Sequence, residues 1–168
     1  MIIISDTSPL SALAEIGELE VLRRLYGRVV IPASVHRECL HLHSPPHLAA
    51  ALEAADSFFD VVADPALLPE TQAVDPGEAA AISLAWLHRS VATLIIDDRD
   101  GRTLCDALGL RKTGTAGVLF AAAEAGLLDF DQAMAKLQRT TFRLSEAVVA
   151  QLRAKLPAAG SSGPPING

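Results

Sequence analysis

Two short, unbroken apolar runs each lead straight into acid: MIII at the start of the chain is followed by Ser5 and Asp6, and VATLII at 91–96 by Asp97 and Asp98. Four to six apolar residues in a row, without helical periodicity, must bury both faces, as an interior strand of a parallel sheet does. Weaker runs at 28–31, 58–62 and 110–113 read as further strands. The chain between them is helical in pattern. Ser8-Pro9 suits an N-cap and first helical residue, Leu10, Leu13, Ala14 and Ile16 share one face, and after Gly17 a second piece carries Leu19, Leu22 and Leu25. A helix over 32–42, capped by Ser34, contains Glu38, and another covers 48–55. Asp75-Pro76-Gly77-Glu78 announces the clearest helix, with Glu78 in its first turn. Helices are also expected near 101–109, 115–125, 130–138 and 144–156. Strands alternating with helices predict an α/β fold, a parallel sheet covered on both faces with binding groups beyond its C-terminal ends.

At 168 residues, one domain over 1–156 is the expectation, burying roughly two-thirds of the surface of the unfolded chain. Its core should be aliphatic, since only 4% of residues are aromatic. The Gly/Ser/Pro-rich stretch 157–168 is expected to be a disordered tail. No apolar stretch reaches the roughly 20 residues of a membrane span, and the N-terminus lacks the basic flank of a signal peptide, so a cytoplasmic, membrane-free protein is expected. Cys39 and Cys105 are too few for a disulfide framework or a thiolate zinc site and are expected to pack in the interior.

The strand ends place Asp6, Asp97 and Asp98 at one rim of the sheet, and Glu38 and Glu78 sit on helices that can face the same crevice. Each acid has a plain structural use: Asp6, Asp98 and Asp100 can cap helices, Glu78 can meet a helix dipole, and Glu38 can be solvated. Together, acids directly after two buried strands call for more. Crowded carboxylates repel unless cations neutralise them, and an all-oxygen donor set suits Mg²⁺ or Mn²⁺. His36, His41, His43 and His47 show no recognised metal spacing and read as a solvated helix end. The net charge of −6 excludes binding of nucleic acid by a global basic field, while four or five clustered carboxylates account for most of it. Local positive charge can come from Arg99, Arg102, Arg111 and Lys112, and phosphate contacts from Ser8, Thr113 and Thr115.

Asp6-Thr7-Ser8 after a strand, IPASVHRE ending in Glu38, Asp75-Pro76-Gly77-Glu78-Ala79 opening a helix, and LIIDDRDGR resemble, in this order, the motifs of PIN-domain ribonucleases. KTGTAGVLFAAAEAGLL is similar to a subgroup of small stand-alone PIN proteins related to VapC-type toxins. The resemblance covers about residues 1 to 155. It implies a three-layer α/β/α sandwich with a central parallel sheet, and Mg²⁺- or Mn²⁺-dependent hydrolysis of RNA. It implies catalytic roles for Asp6, Glu38, Glu78 and Asp98, with Asp6, Glu38 and Asp98 as metal ligands, Asp97 as an alternate, and Ser8, Arg99 and Thr115 toward substrate. Position 78 is Glu where many relatives have Asp, and the Asp97-Asp98 doublet leaves open which carboxylate faces the ion. A toxin of this kind has a small antitoxin partner and often forms a homodimer. A phosphoaspartate phosphatase is disfavoured because position 8 is Ser where such enzymes carry a second aspartate. The stronger rival is a catalytically silent PIN-like module that binds nucleic acid or protein.

Overall fold

The computed structural model describes residues 1–157; the expected disordered tail falls, but for Pro157, on 158–168, outside the described residues. Five parallel strands form one sheet: β1 (Ile2–Ser5), β2 (Val29–Pro32), β3 (Phe59–Val62), β4 (Ala92–Ile95) and β5 (Lys112–Thr113), in the order β3-β2-β1-β4-β5. All five lie where the apolar runs predicted them. The sheet is wound outward from β1, first through β2 to β3, then across to β4 and β5. The boundary between β1 and β4 is therefore the point where the winding direction reverses and the loops leaving the strand ends part.

Nine α-helices accompany the described strands: α1 (Thr7–Glu15), α2 (Glu20–Tyr26), α3 (Ala33–Cys39), α4 (Pro46–Glu53), α5 (Pro76–Leu87), α6 (Arg99–Ala107), α7 (Thr115–Glu124), α8 (Phe130–Gln138) and α9 (Glu146–Lys155). The helix α5 contacts β1, β2 and β4 together with α3 and α6, whereas α7 packs with α1, α2, α8 and α9, giving helix, sheet and helix layers. Every residue from Gly77 to Ala85 in α5 is buried, so this helix has no solvent stripe. Its small residues let it lie close to the sheet and its neighbours, and a helix apolar all round belongs inside. One aliphatic cluster runs from Ile3 to Val149, with Ile4, Leu13, Leu22, Ile31, Leu94 and Leu119 fully buried. Both cysteines are free and buried in it.

Local signals were less exact than the strands. The first helix starts at Thr7, with Asp6 rather than Ser8 at the N-cap position. Ser34 lies inside α3 and gives its hydroxyl to Asp64, 2.6 Å away, instead of capping. That helix stops at Cys39, short of 42, where the chain turns toward Pro45-Pro46. The Pro-rich loop before α5 holds a 3₁₀ turn, Pro69–Ala73. Among the described residues, no helix is long and apolar enough to cross a membrane.

Candidate active site

The register of the two central strands brings the acids to one rim. Ser5 pairs with Ile95, and the Asp6 amide donates to the Ile95 carbonyl at 3.0 Å, so Asp6 leaves β1 beside the chain that continues into Asp97 and Asp98. The helix α3, which follows β2, and the N-terminus of α5 bring in Glu38 and Glu78. All five residues thus converge on the β1/β4 boundary.

Three of the carboxylates are held by protein donors. Glu38 accepts the Thr7 hydroxyl on Oε2 and the Gly77 amide on Oε1 at 2.9 Å. A Cβ on Gly77 would stand 2.6 Å from Glu38 Oε1, so only glycine allows this approach. Asp97 accepts the amide and the hydroxyl of Thr115 at 2.7 and 2.6 Å. Burial raises its pKa, while these two bonds and the nearby Arg102, which donates to the Ile96 carbonyl at 2.8 Å, draw it back. Asp98 caps α6 through one oxygen, taking the amides of Asp100 and Gly101 at 2.8 and 3.1 Å. That is the capping role its position allowed, and it leaves Oδ2 without a protein donor among the described residues.

The other two are poorly provided for. Asp6 is 4% exposed and Glu78 6%. Although Asp6 occupies the N-cap position of α1, its side chain makes no capping hydrogen bond. Burial pushes its pKa up to about 6, aided by the charges of Glu38 and Asp97 and opposed by the amides of Thr7 and Ser8. Glu78 is pushed up to about 7, first by burial and then by the charges of Asp6, Asp98, Asp75 and Asp100. Its Oε1 is the one buried side-chain oxygen or nitrogen among the described residues without a hydrogen-bond partner. A Cβ on Gly101 would collide with that same oxygen, so the glycine opens the space it occupies.

Among the described residues, no three His, Cys, Asp or Glu side chains stand close enough together to hold an ion as placed. The physical reason is local: Glu38, Asp97 and Asp98 are drawn toward hydroxyls and amides on the crevice walls. The donor chemistry nevertheless fits a hard divalent cation. It is all oxygen, its inner members are destabilised by burial and by one another's charge, and one buried oxygen lacks any partner.

Ser8 and Arg99 are exposed beside this crevice. Thr115 is not: it is 0% exposed and spends both donors on Asp97, so it positions a carboxylate instead of meeting a phosphate. Arg111 also departs from the expected cationic group, since it ties the carbonyls of Ser90 and Ala92 at the opposite end of β4. His41, His43 and His47 line an exposed hollow of about 810 Å³ next to Glu38 and form no metal cluster. Sequence reasoning missed Thr7, Gly77 and Gly101. Their one visible signal was adjacency to motif acids, in Asp6-Thr7, Gly77-Glu78 and Asp100-Gly101.

A family model described as PIN domain matches residues 2–157. Compared with curated proteins and with solved structures, the chain has no match.

Proposed function

The chain belongs to the PIN-domain family, a nuclease-type fold, and we propose that it is a Mg²⁺- or Mn²⁺-dependent ribonuclease working at the Asp6–Glu78 crevice. The observation that carries this reading is the inner pair of acids, buried at 4% and 6% exposure, mutually repelling, and left with an unpartnered oxygen on Glu78. Folding tolerates such a pair poorly unless a cation completes it.

Asp6 and Glu78 are the groups that would hold the ion, joined by the Asp98 oxygen that capping leaves over. A bound divalent ion supplies an activated water and stabilises charge on the phosphoryl oxygens and the leaving oxygen. Glu38, fixed by Thr7 and Gly77, and Asp97, fixed by Thr115, orient the crevice walls and keep its field negative. The exposed Ser8 hydroxyl and Arg99 guanidinium face the phosphodiester from outside.

The test is cleavage of a mixed RNA pool and of DNA of matched sequence, with Mg²⁺, with Mn²⁺ and with chelator. Ion-dependent RNA cleavage that disappears in Asp6→Asn while circular dichroism stays native supports the enzyme. Among the described residues no three acids stand together as a preformed cluster, which favours the second reading, a silent binding module. Retained RNA binding with no cleavage under either ion would establish that alternative. The toxin role, with a small antitoxin partner and a homodimer, is the finer part of the proposal. Growth arrest on expression, abolished by Asp6→Asn and relieved by a small co-expressed protein that binds the chain, is its expected signature.

A further inference from the structure

The hollow of about 810 Å³ beside Glu38 is lined by His41, His43 and His47, three of the chain's five histidines, and all three are exposed. His41 and His43 stand on the turn between α3 and α4, and that turn is fixed at both ends. The His41 amide donates to the Glu38 carbonyl at 3.1 Å, and the Ser44 amide closes the turn on the His41 carbonyl at 2.9 Å. The Ser44 hydroxyl donates to the same Glu38 carbonyl at 2.9 Å, after which Pro45-Pro46 restrict the backbone as it enters α4. On this anchored turn the two imidazole rings lie 5.3 Å apart, centre to centre, and are tilted by 38°. His47, the second residue of α4, and Glu15, the last of α1, face the same hollow.

Two imidazoles on one tetrahedral ion, each with its nitrogen about 2.0–2.1 Å from the metal, have ring centres roughly 5 Å apart, and the His41–His43 spacing matches that. Nitrogen donors select ions differently from the all-oxygen crevice: imidazole suits Zn²⁺, Ni²⁺ and Cu²⁺, whereas Mg²⁺ prefers oxygen. A pair is still short of a site. As placed, no three such side chains close on one point among the described residues, so a third ligand has to turn in. His47 is suited to this, because it is exposed and rotamer changes of exposed side chains are fast. We propose that His41, His43 and His47 bind Zn²⁺ or another imidazole-preferring divalent ion, with water in the fourth position and Glu15 supplying negative charge beside it. The ion would tie the α3–α4 turn to the first turn of α4 and stiffen the segment that leads out of Glu38. This site is separate from the acidic crevice and does not depend on whether the crevice cuts RNA.

The experiment is titration calorimetry of the full chain, free of any polyhistidine tag, with ZnCl₂. It is run on the parent and on Asp6→Asn, in which the acidic crevice has lost a charge. A single Zn²⁺ should bind Asp6→Asn in the presence of excess Mg²⁺ and raise its melting temperature. In that background His41→Gln, His43→Gln and His47→Gln should each weaken Zn²⁺ binding by at least about tenfold, the lower end of what even the outer partners of a metal site cost. Co²⁺ in place of Zn²⁺ should give the visible absorption of a tetrahedral ion, and His41→Gln should abolish it. All three histidines are exposed, and native circular dichroism is the control for each variant. No Zn²⁺ binding to Asp6→Asn, or binding unchanged in His41→Gln and His43→Gln, would make the ring pair an aromatic contact only and overturns the site. Binding to the parent that vanishes in Asp6→Asn puts the ion in the acidic crevice and overturns it equally. Unchanged binding in His47→Gln overturns the three-imidazole ligand set.

Discussion

Glu38 and Glu78 reach the same crevice from different helices and meet opposite fates. The α3 side gives Glu38 a hydroxyl from Thr7 and an amide from Gly77, so its charge is satisfied inside the protein. The α5 side buries Glu78 among Asp6, Asp98, Asp75 and Asp100 and gives Oε1 nothing. A fold selected only for stability would not keep the second arrangement, because an unpaired buried carboxylate costs several kcal/mol in principle. The satisfied wall and the unsatisfied floor are therefore different parts: protein donors fix the geometry of one, and the proposed function keeps the other for a ligand.

The sharpest way to break the comparison is Glu78→Gln. Ion-dependent cleavage should fall at least a hundredfold, as for loss of a group that stabilises developing charge, while the ion-free protein gains stability at pH 8. Glu38→Gln should do the reverse for stability, weakening the fold by leaving Thr7 and Gly77 with a poorer acceptor. Urea unfolding of both variants at pH 8 without ions checks the signs. Two losses of stability would show that Glu78 is a structural acid after all.

Gly101→Ala probes the same floor from the other side. The added Cβ collides with Glu78 Oε1 and comes within 2.7 Å of Ile96 Cδ1, so the variant should lose about 1–3 kcal/mol through overpacking, and cleavage with it. The double variant with Glu78→Ala should recover part of that stability, because one of the two clashes is removed; purely additive losses in the double-mutant cycle would contradict the contact.

The pH dependence follows from the same pair. Burial pushes Asp6 up to about 6 and Glu78 up to about 7 in the folded protein, from ordinary values of 3.8 and 4.5, so both are raised acids. For a raised acid the folded state holds its proton longer than the unfolded one, and stability is full below the unfolded value and declines as pH rises through the folded value. The ion-free protein should therefore lose stability between about pH 4 and 7, by roughly 3 kcal/mol per group at 1.36 kcal/mol per pKa unit. Saturating Mn²⁺ should flatten or invert that slope, since the ion binds the carboxylate forms. Thermal melts at pH 5 and 8, with and without Mn²⁺, read it directly; a flat profile without ions would remove the floor's special status.

Much of this molecule was legible because its strands are local signals. MIII and VATLII need only their own composition to be recognised, and the acids that end them inherit their place from the strands. What the residues could not disclose is pairing across distance: Thr7 with Glu38 is 31 positions apart, Gly77 with Glu38 is 39, and Thr115 with Asp97 is 18. Ser34 shows the same limit, since its hydroxyl found Asp64 across 30 positions instead of the nearby helix end. An acid's spacing in the chain says which rim it reaches, but whether it arrives satisfied depends on donors that only folding brings near. Hence Thr115 was read as a phosphate contact when it is the clamp on a carboxylate.

That clamp supplies the smallest expected effect and the finest test of the division between wall and floor. Thr115→Val keeps the shape of a fully buried residue and the amide bond to Asp97 but removes the hydroxyl bond. If Asp97 acts by orientation, losing one of its two donors should lower ion affinity or cleavage about tenfold, the usual cost of loosening a group behind a ligand, and change stability by only about 1 kcal/mol. The informative measurement is cleavage against Mn²⁺ concentration. A clamp on the ion site raises the concentration needed for half-maximal cleavage, whereas loss of a phosphate contact raises the RNA concentration needed and leaves the ion requirement alone. The second outcome would return Thr115 to the substrate side, and would mean that the wall, too, is built for a ligand rather than for geometry.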